Sequence, residues 1–131
     1  MNSSIDRILN ETKSIAVVGF SKRPNRAGYY VPAYLQAHGY RIIPVNPYLD
    51  HALGETAYPD LASIAADVDL VLIFQRSENV PPFVNQAIDI GARSIWMQAG
   101  IANETAAAKA REAGLDVVQN ACMMVEYRIR S

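Results

Sequence analysis

Ser14-Ile15-Ala16-Val17-Val18-Gly19-Phe20-Ser21-Lys22-Arg23-Pro24-Asn25-Arg26-Ala27-Gly28 is the stretch that decides the fold of this chain. A continuous apolar run with β-branched residues, closed by glycine, has the pattern of a buried parallel strand, which is covered on both faces and loses polar alternation. Helical spacing follows as far as His38. Gly19 permits the sharp turn between strand and helix and lets a ligand approach the backbone. The helix behind it would aim its free N–H groups and positive end at an anion, so the expected ligand carries phosphate.

The departures from the usual dinucleotide pattern are informative. A Gly-x-Gly-x-x-Gly fingerprint would place glycine where this chain has Ser21, and the next glycine, Gly28, arrives late. The loop is also basic, with Lys22, Arg23 and Arg26 close together and Ser21 adding a hydroxyl. Each phosphate needs charge-assisted donors of its own, so these cations suggest more negative charge than one pyrophosphate brings. The competing reading is an exposed loop whose cations are merely solvated.

The 131 residues fit one domain over 1–131, long enough for a core and too short for a nucleotide domain plus a separate catalytic one. Half the residues are hydrophobic and the formal net charge is −1, so neither nucleic acid nor a membrane surface is an expected partner. The N-terminus is polar and no apolar run approaches the ~20 residues that span a bilayer, so neither signal peptide nor membrane span is expected. The single cysteine, Cys122, excludes an intramolecular disulfide and fits a cytoplasmic protein. His38 and His51 lack companions at ligand spacing, so no metal is expected.

Along the chain, residues 3–12 read as a short helix with Ile5, Ile8 and Leu9 on one stripe. After the basic loop, Val31, Tyr34 and Leu35 keep helical spacing, with Pro32 confined to about the first turn and Gly39 at the exit. Tyr40–Val45 is a strand ended by Asn46-Pro47. A domain selecting NAD would carry a carboxylate at that strand end; Asn46 instead tolerates a phosphorylated ribose, as in NADP or a 3′-phosphorylated adenosine, or else simply forms a turn. A very short strand within Gly54–Tyr58 precedes a helix capped by Asp60 and running through Ala66. Asp69–Phe74 is a buried strand, and Ser77 or Asn79 caps the helix of Val80, Phe83, Val84, Ala87 and Ile88. Ser94–Met97 is the next strand, Asn103 caps an alanine-rich helix stopping at Gly114, and Asp116–Val118 is the last strand.

Alternating strands and helices with short joins predict an α/β fold, a single doubly wound Rossmann-like parallel sheet with helices on both faces. Its ligand belongs at the C-terminal strand edge, where the winding reverses beside the first strand.

Val17-Val18-Gly19-Phe20-Ser21 with Pro24 and Arg26, Gly39-Tyr40 leading to Pro44-Val45-Asn46-Pro47, Gly91-Ala92 with Ile95-Trp96-Met97-Gln98-Ala99-Gly100, and Asn120 with Cys122 occur in an order and spacing that a generic dinucleotide fold has no reason to carry. Together they resemble the small CoA-binding proteins, relatives of the CoA-binding domain of the succinyl-CoA synthetase alpha subunit, over roughly Lys13 to Tyr127. The resemblance implies coenzyme A as ligand, with acyl-CoA also compatible. Its phosphates would lie on Ser21-Lys22-Arg23-Pro24, flanked by Gly19, Phe20 and Arg26, and its adenosine near Val45-Asn46-Pro47. Phe74-Gln75-Arg76 would form the second edge, and Gln98, Gly100 and Cys122 complete the expected set. Ala121 stands where relatives often carry arginine.

The synthetases have a further domain with a phosphorylated histidine, which this sequence does not supply, so ligase activity is not expected to carry over. Glu78, Glu104 and Glu126 read as cap or surface charges, and no nucleophile elbow or His–carboxylate pair is evident. The leading expectation is therefore a CoA-binding module without catalysis of its own. The alternatives are an NADP-binding redox protein or sensor, and a CoA-binding subunit that draws on a separate ligase chain.

Overall fold

The computed structural model describes residues 3–130. In chain order the elements are α1 (Ser3–Glu11), β1 (Ser14–Val18), α2 (Ala27–Ala37), β2 (Arg41–Val45), a hairpin of β3 (His51–Ala52) and β4 (Glu55–Thr56), β5 (Leu70–Ile73), α3 (Val80–Asp89), β6 (Ser94–Met97), α4 (Glu104–Glu112), β7 (Asp116–Val118) and α5 (Met123–Arg130). Five strands make one parallel sheet in the order β2-β1-β5-β6-β7. This is the doubly wound, Rossmann-like α/β architecture, with the first strand inside the sheet and the winding reversing between β1 and β5.

The uninterrupted apolar strands are explained by the two layers that cover them. Ala16, Val18, Val71, Ile73, Ile95 and Met97 pack with Val84 of α3 and Ala107 of α4. The alternate residues Ile15, Val17, Leu70, Leu72 and Trp96 pack with Leu9 of α1, Val31 and Leu35 of α2, and Met123 of α5. Trp96 is fully buried, and its Nε1–H donates to the Ala121 carbonyl at 2.8 Å. That bond avoids the roughly 1–3 kcal/mol cost of an orphaned buried donor. Pro44 is tolerated in β2 because β2 is an edge strand.

Two expected elements take a different form, and α5 was not expected. The turn capped by Asp60 is a single 3-10 turn, Leu61–Ser63, and not a helix through Ala66. Asp60 accepts both the Ser63 amide and hydroxyl, but only Leu61 of the turn is buried, so a longer helix has no apolar stripe to hide. Pro32 lies in the interior of α2 and not in its first turn. An interior proline removes the bond that residue 32 would give to the carbonyl of residue 28, ordinarily a defect costing about 3 kcal/mol. Here the Gly28 carbonyl instead accepts the Ser21 amide at 3.1 Å, so the vacancy in the helix anchors the basic loop.

Candidate functional site

Beyond the C-terminal ends of β1 and β5 lies the crevice that winding reversal creates. Its floor is Gly19, whose φ of +82° is the left-handed conformation that disfavours side chains. A Cβ there would stand 2.3 Å from the Phe74 carbonyl oxygen, so two strand ends meet closely enough that only glycine fits. Gly28 is tight for a related reason: its Cβ would come within 3.0 Å of the Gly19 carbonyl oxygen. The first turn of α2 is thereby drawn against the end of β1, with its free amides at the crevice.

Two adjacent clefts open from this floor. One, of roughly 560 Å³, is lined chiefly by Ser21, Arg23, Arg26, Phe74, Arg76 and Gln98, and no carboxylate lines it. Among the described residues no ion pair engages any of its three guanidinium groups. Ser21 Oγ accepts the Arg23 amide at 3.2 Å and the Arg26 amide returns to the Arg23 carbonyl at 3.0 Å, so the cations stand on a folded turn. The other cleft, roughly 320 Å³, is lined by uncharged groups: Val45, Asn46, Pro47, Tyr48, Pro59 and Phe83. Gly19 and Gln75 belong to both linings. The arrangement offers unneutralised positive charge on one side and an uncharged recess on the other, with Gly19 and Gln75 between them.

The remaining expected residues fall into different places. Asn46 Nδ2 donates to the Phe20 carbonyl at 2.7 Å, and its Oδ1 accepts the Tyr48 amide at 2.8 Å. It forms a turn, ties the exit of β2 to that of β1, and also lines the uncharged cleft. Phe20 itself is 1% exposed, with its ring edge-on to Tyr29, so only its main chain is near the crevice. Lys22 and Pro24 are exposed on the loop and outside both linings. Gln98, 4% exposed, lines the basic cleft while its Oε1 accepts the Met123 amide at 3.2 Å, tying that cleft to the start of α5. Gly100 is held by its amide to Asn120 Oδ1 at 2.7 Å, and Cys122 is half-buried beside the tryptophan layer; neither lines a cleft. Sequence reasoning overlooked Tyr48, Pro59 and Phe83. Tyr48 directly follows Asn-Pro, a usable signal, whereas Phe83 lies on a helical stripe that reads as ordinary core.

A parallel sheet with a carboxylate-free basic cleft and an uncharged recess at its switch point is a Rossmann-like fold with a candidate site where such sheets bind ligands. The chain belongs to the CoA binding domain family, whose model matches residues 13–128. It is 39% identical over 127 residues to the uncharacterized protein YneT of Bacillus subtilis, covering 97% of this chain and 94% of that one. A hypothetical protein from Pyrococcus horikoshii superposes with a TM-score of 0.94 at 39% identity, over 98% of this chain and 91% of that one. The chain is also related to the CoA-binding domains of ADP-forming ligases. An acetate–CoA ligase (ADP-forming) of Methanocaldococcus jannaschii matches over 80 residues at 28% identity, which is 61% of this chain and 11% of the ligase. Among the described residues no helix is long and apolar enough to cross a membrane.

Proposed function

We propose that the chain binds coenzyme A or an acyl-CoA across the two clefts and has no catalytic machinery of its own. The observation that carries this reading is the junction of a carboxylate-free, three-arginine cleft with an uncharged recess at Gly19 and Gln75. Coenzyme A has matching chemistry: a diphosphate and a 3′-phosphate that need several cationic donors, and a neutral base that needs none. In this reading Arg23, Arg26 and Ser21 hold phosphate, helped by the first amides of α2, and Arg76 faces them from the end of β5. Adenosine occupies the recess beside Val45, Asn46 and Pro47, and the pantetheine arm leaves along Phe74 and Gln98. Family membership favours coenzyme A over NADP, which would also satisfy the cations.

The absence of catalysis is inferred from the lining, in which no His, Asp, Glu or Cys stands as a general base or nucleophile. A reducing cytoplasm is the proposed setting, consistent with the free thiol of Cys122. Titration calorimetry with CoA, acetyl-CoA, NAD and NADP tests the proposal. CoA should bind with Kd well below ~1 mM, the level of about 4 kcal/mol. Weaker binding of both CoA species, or tighter binding of NADP, overturns it.

The match to a small part of a much longer ligase supports a second reading, in which the chain serves as the CoA-binding subunit of a separate ligase chain. Co-purification with such a subunit, and acyl-CoA synthesis only by the pair, would favour it over the stand-alone module.

A further inference from the structure

Resting on that reading of the site, we infer that Tyr48 is a stacking platform for the ligand's adenine ring, closing the outer side of the uncharged cleft. Tyr48 is 90% exposed, so folding gains little from its ring. Its main chain, in contrast, is fixed. The amide donates to Asn46 Oδ1 at 2.8 Å, the Leu49 amide donates to the Asn46 carbonyl at 3.2 Å, and Pro47 restricts the residue before it. Behind the turn, Gln36 Nε2 donates to the Leu53 carbonyl at 2.9 Å and pins the hairpin to α2. A solvated aromatic ring on a rigid turn at the mouth of an apolar recess is a pre-positioned contact surface, and a tyrosine loses few rotamers when covered.

The lining selects the class of ring. No charged group faces the recess, so its occupant is neutral where it sits. Both amide atoms of Asn46 are already bonded, whereas Gln75 has no side-chain hydrogen bond among the described residues. A free carboxamide offers one donor and one acceptor side by side, the complement of the N6–N7 edge of adenine. Tyr48 supplies the face and Gln75 the edge, with Pro59 and Phe83 completing the lining.

The test is calorimetry of the full chain and three variants, Tyr48→Phe, Tyr48→Leu and Tyr48→Ala, with CoA and with adenosine diphosphate. Stacking on an aromatic face predicts about a tenfold loss of affinity in Tyr48→Ala for both ligands, within the measured range for base–aromatic contacts. Tyr48→Leu, which keeps apolar bulk without a π-face, should lose nearly as much, and Tyr48→Phe should stay within about twofold. Unchanged binding in Tyr48→Ala, or parental affinity in Tyr48→Leu, overturns the inference. If the parent binds adenosine diphosphate in a Tyr48-dependent way but not CoA, the CoA reading fails and the adenine platform stands. If it binds neither, both fail.

Discussion

Arg7 and Arg130 lie at the N-terminal end of the strands, and Arg23, Arg26 and Arg76 lie at the other. At the first end, Arg7 donates to Asp116 at 2.9 Å, and Arg130 holds both Asp6 at 2.6 Å and Glu126 at 2.5 Å, joining α5 to α1. Asp69 accepts the amides of Lys13 and Ser14 there, and the Tyr40 hydroxyl donates to the Leu9 carbonyl at 2.6 Å. At the second end three guanidinium groups face one cleft with no carboxylate in its lining. The same residue type therefore closes the fold at one end and leaves charge available at the other. Exposed ion pairs stabilise by only ~0.2–1 kcal/mol, so the contrast concerns availability more than stability.

The strongest way to break this contrast is Gly19→Ala, because Gly19 belongs to the open end yet serves the fold. A methyl group set against the Phe74 carbonyl, at positive φ, should cost at least about 2 kcal/mol in chemical denaturation and abolish measurable CoA binding. Parental stability would mean that the two strand ends can part.

Arg23→Ala and Arg26→Ala should do the reverse. Each is expected to weaken CoA by ~1–3 kcal/mol while stability stays within about 0.5 kcal/mol of the parent. Dephospho-CoA should also bind more weakly to the parent; equal affinity would show that the 3′-phosphate is not read.

Tyr40→Phe probes the closed end, with an expected stability loss of about 1 kcal/mol from the orphaned Leu9 carbonyl and no change in CoA affinity. Burial, then the neighbouring Tyr127, push the Tyr40 hydroxyl up from the ordinary 10.0 to about 12. The fold thus favours the protonated phenol. Its stabilisation is complete below about pH 10 and is lost between about pH 10 and 12, so alkaline denaturation should be shallower over that window in Tyr40→Phe.

The smallest effect is expected at Cys122. Cys122→Ser should shift reduced-CoA affinity by less than about 0.5 kcal/mol, since the residue lies outside both linings. Its neighbour Met123 donates its amide to Gln98, which lines the basic cleft. Oxidised CoA should therefore give one adduct by mass spectrometry, with the Cys122 thiolate displacing one CoA thiolate, and none in Cys122→Ser. A parent that resists both this disulfide and a small alkylating reagent would assign Cys122 to packing alone.

Much of the sheet was legible because strands covered on both faces lose alternation, so Ile15–Val18, Leu70–Ile73 and Ile95–Met97 stand out as apolar runs. The Asn103 cap was legible for a local reason: its side chain accepts the Ala106 amide. Of the two candidate caps of α3, Asn79 does stand at the N-cap, though without a side-chain bond, whereas Ser77 Oγ accepts the Ala102 amide from another loop. Two of the cleft's three arginines, Arg23 and Arg26, could be read from one loop, where they are neighbours in sequence, whereas Arg76 follows β5. Of the uncharged recess only the Val45-Asn46-Pro47 side and Gln75 were legible, because Tyr48, Pro59 and Phe83 come from three separate segments and meet only once the sheet has formed. The double duty of Gln98 was hidden for the same reason.

The proline within α2 also has a consequence for timing. Since residue 32 has no amide to offer, the Gly28 carbonyl is already committed to the Ser21 amide in the ligand-free fold. The loop's disorder is then surrendered once, during folding, instead of at every binding event. In hydrogen–deuterium exchange on the ligand-free chain, the Ser21 amide should be protected to the same degree as the first turns of α2, and ligand should add little. Pro32→Ala would introduce a rival donor for that carbonyl, speed exchange at Ser21, and turn a standing cradle into one that each ligand must assemble.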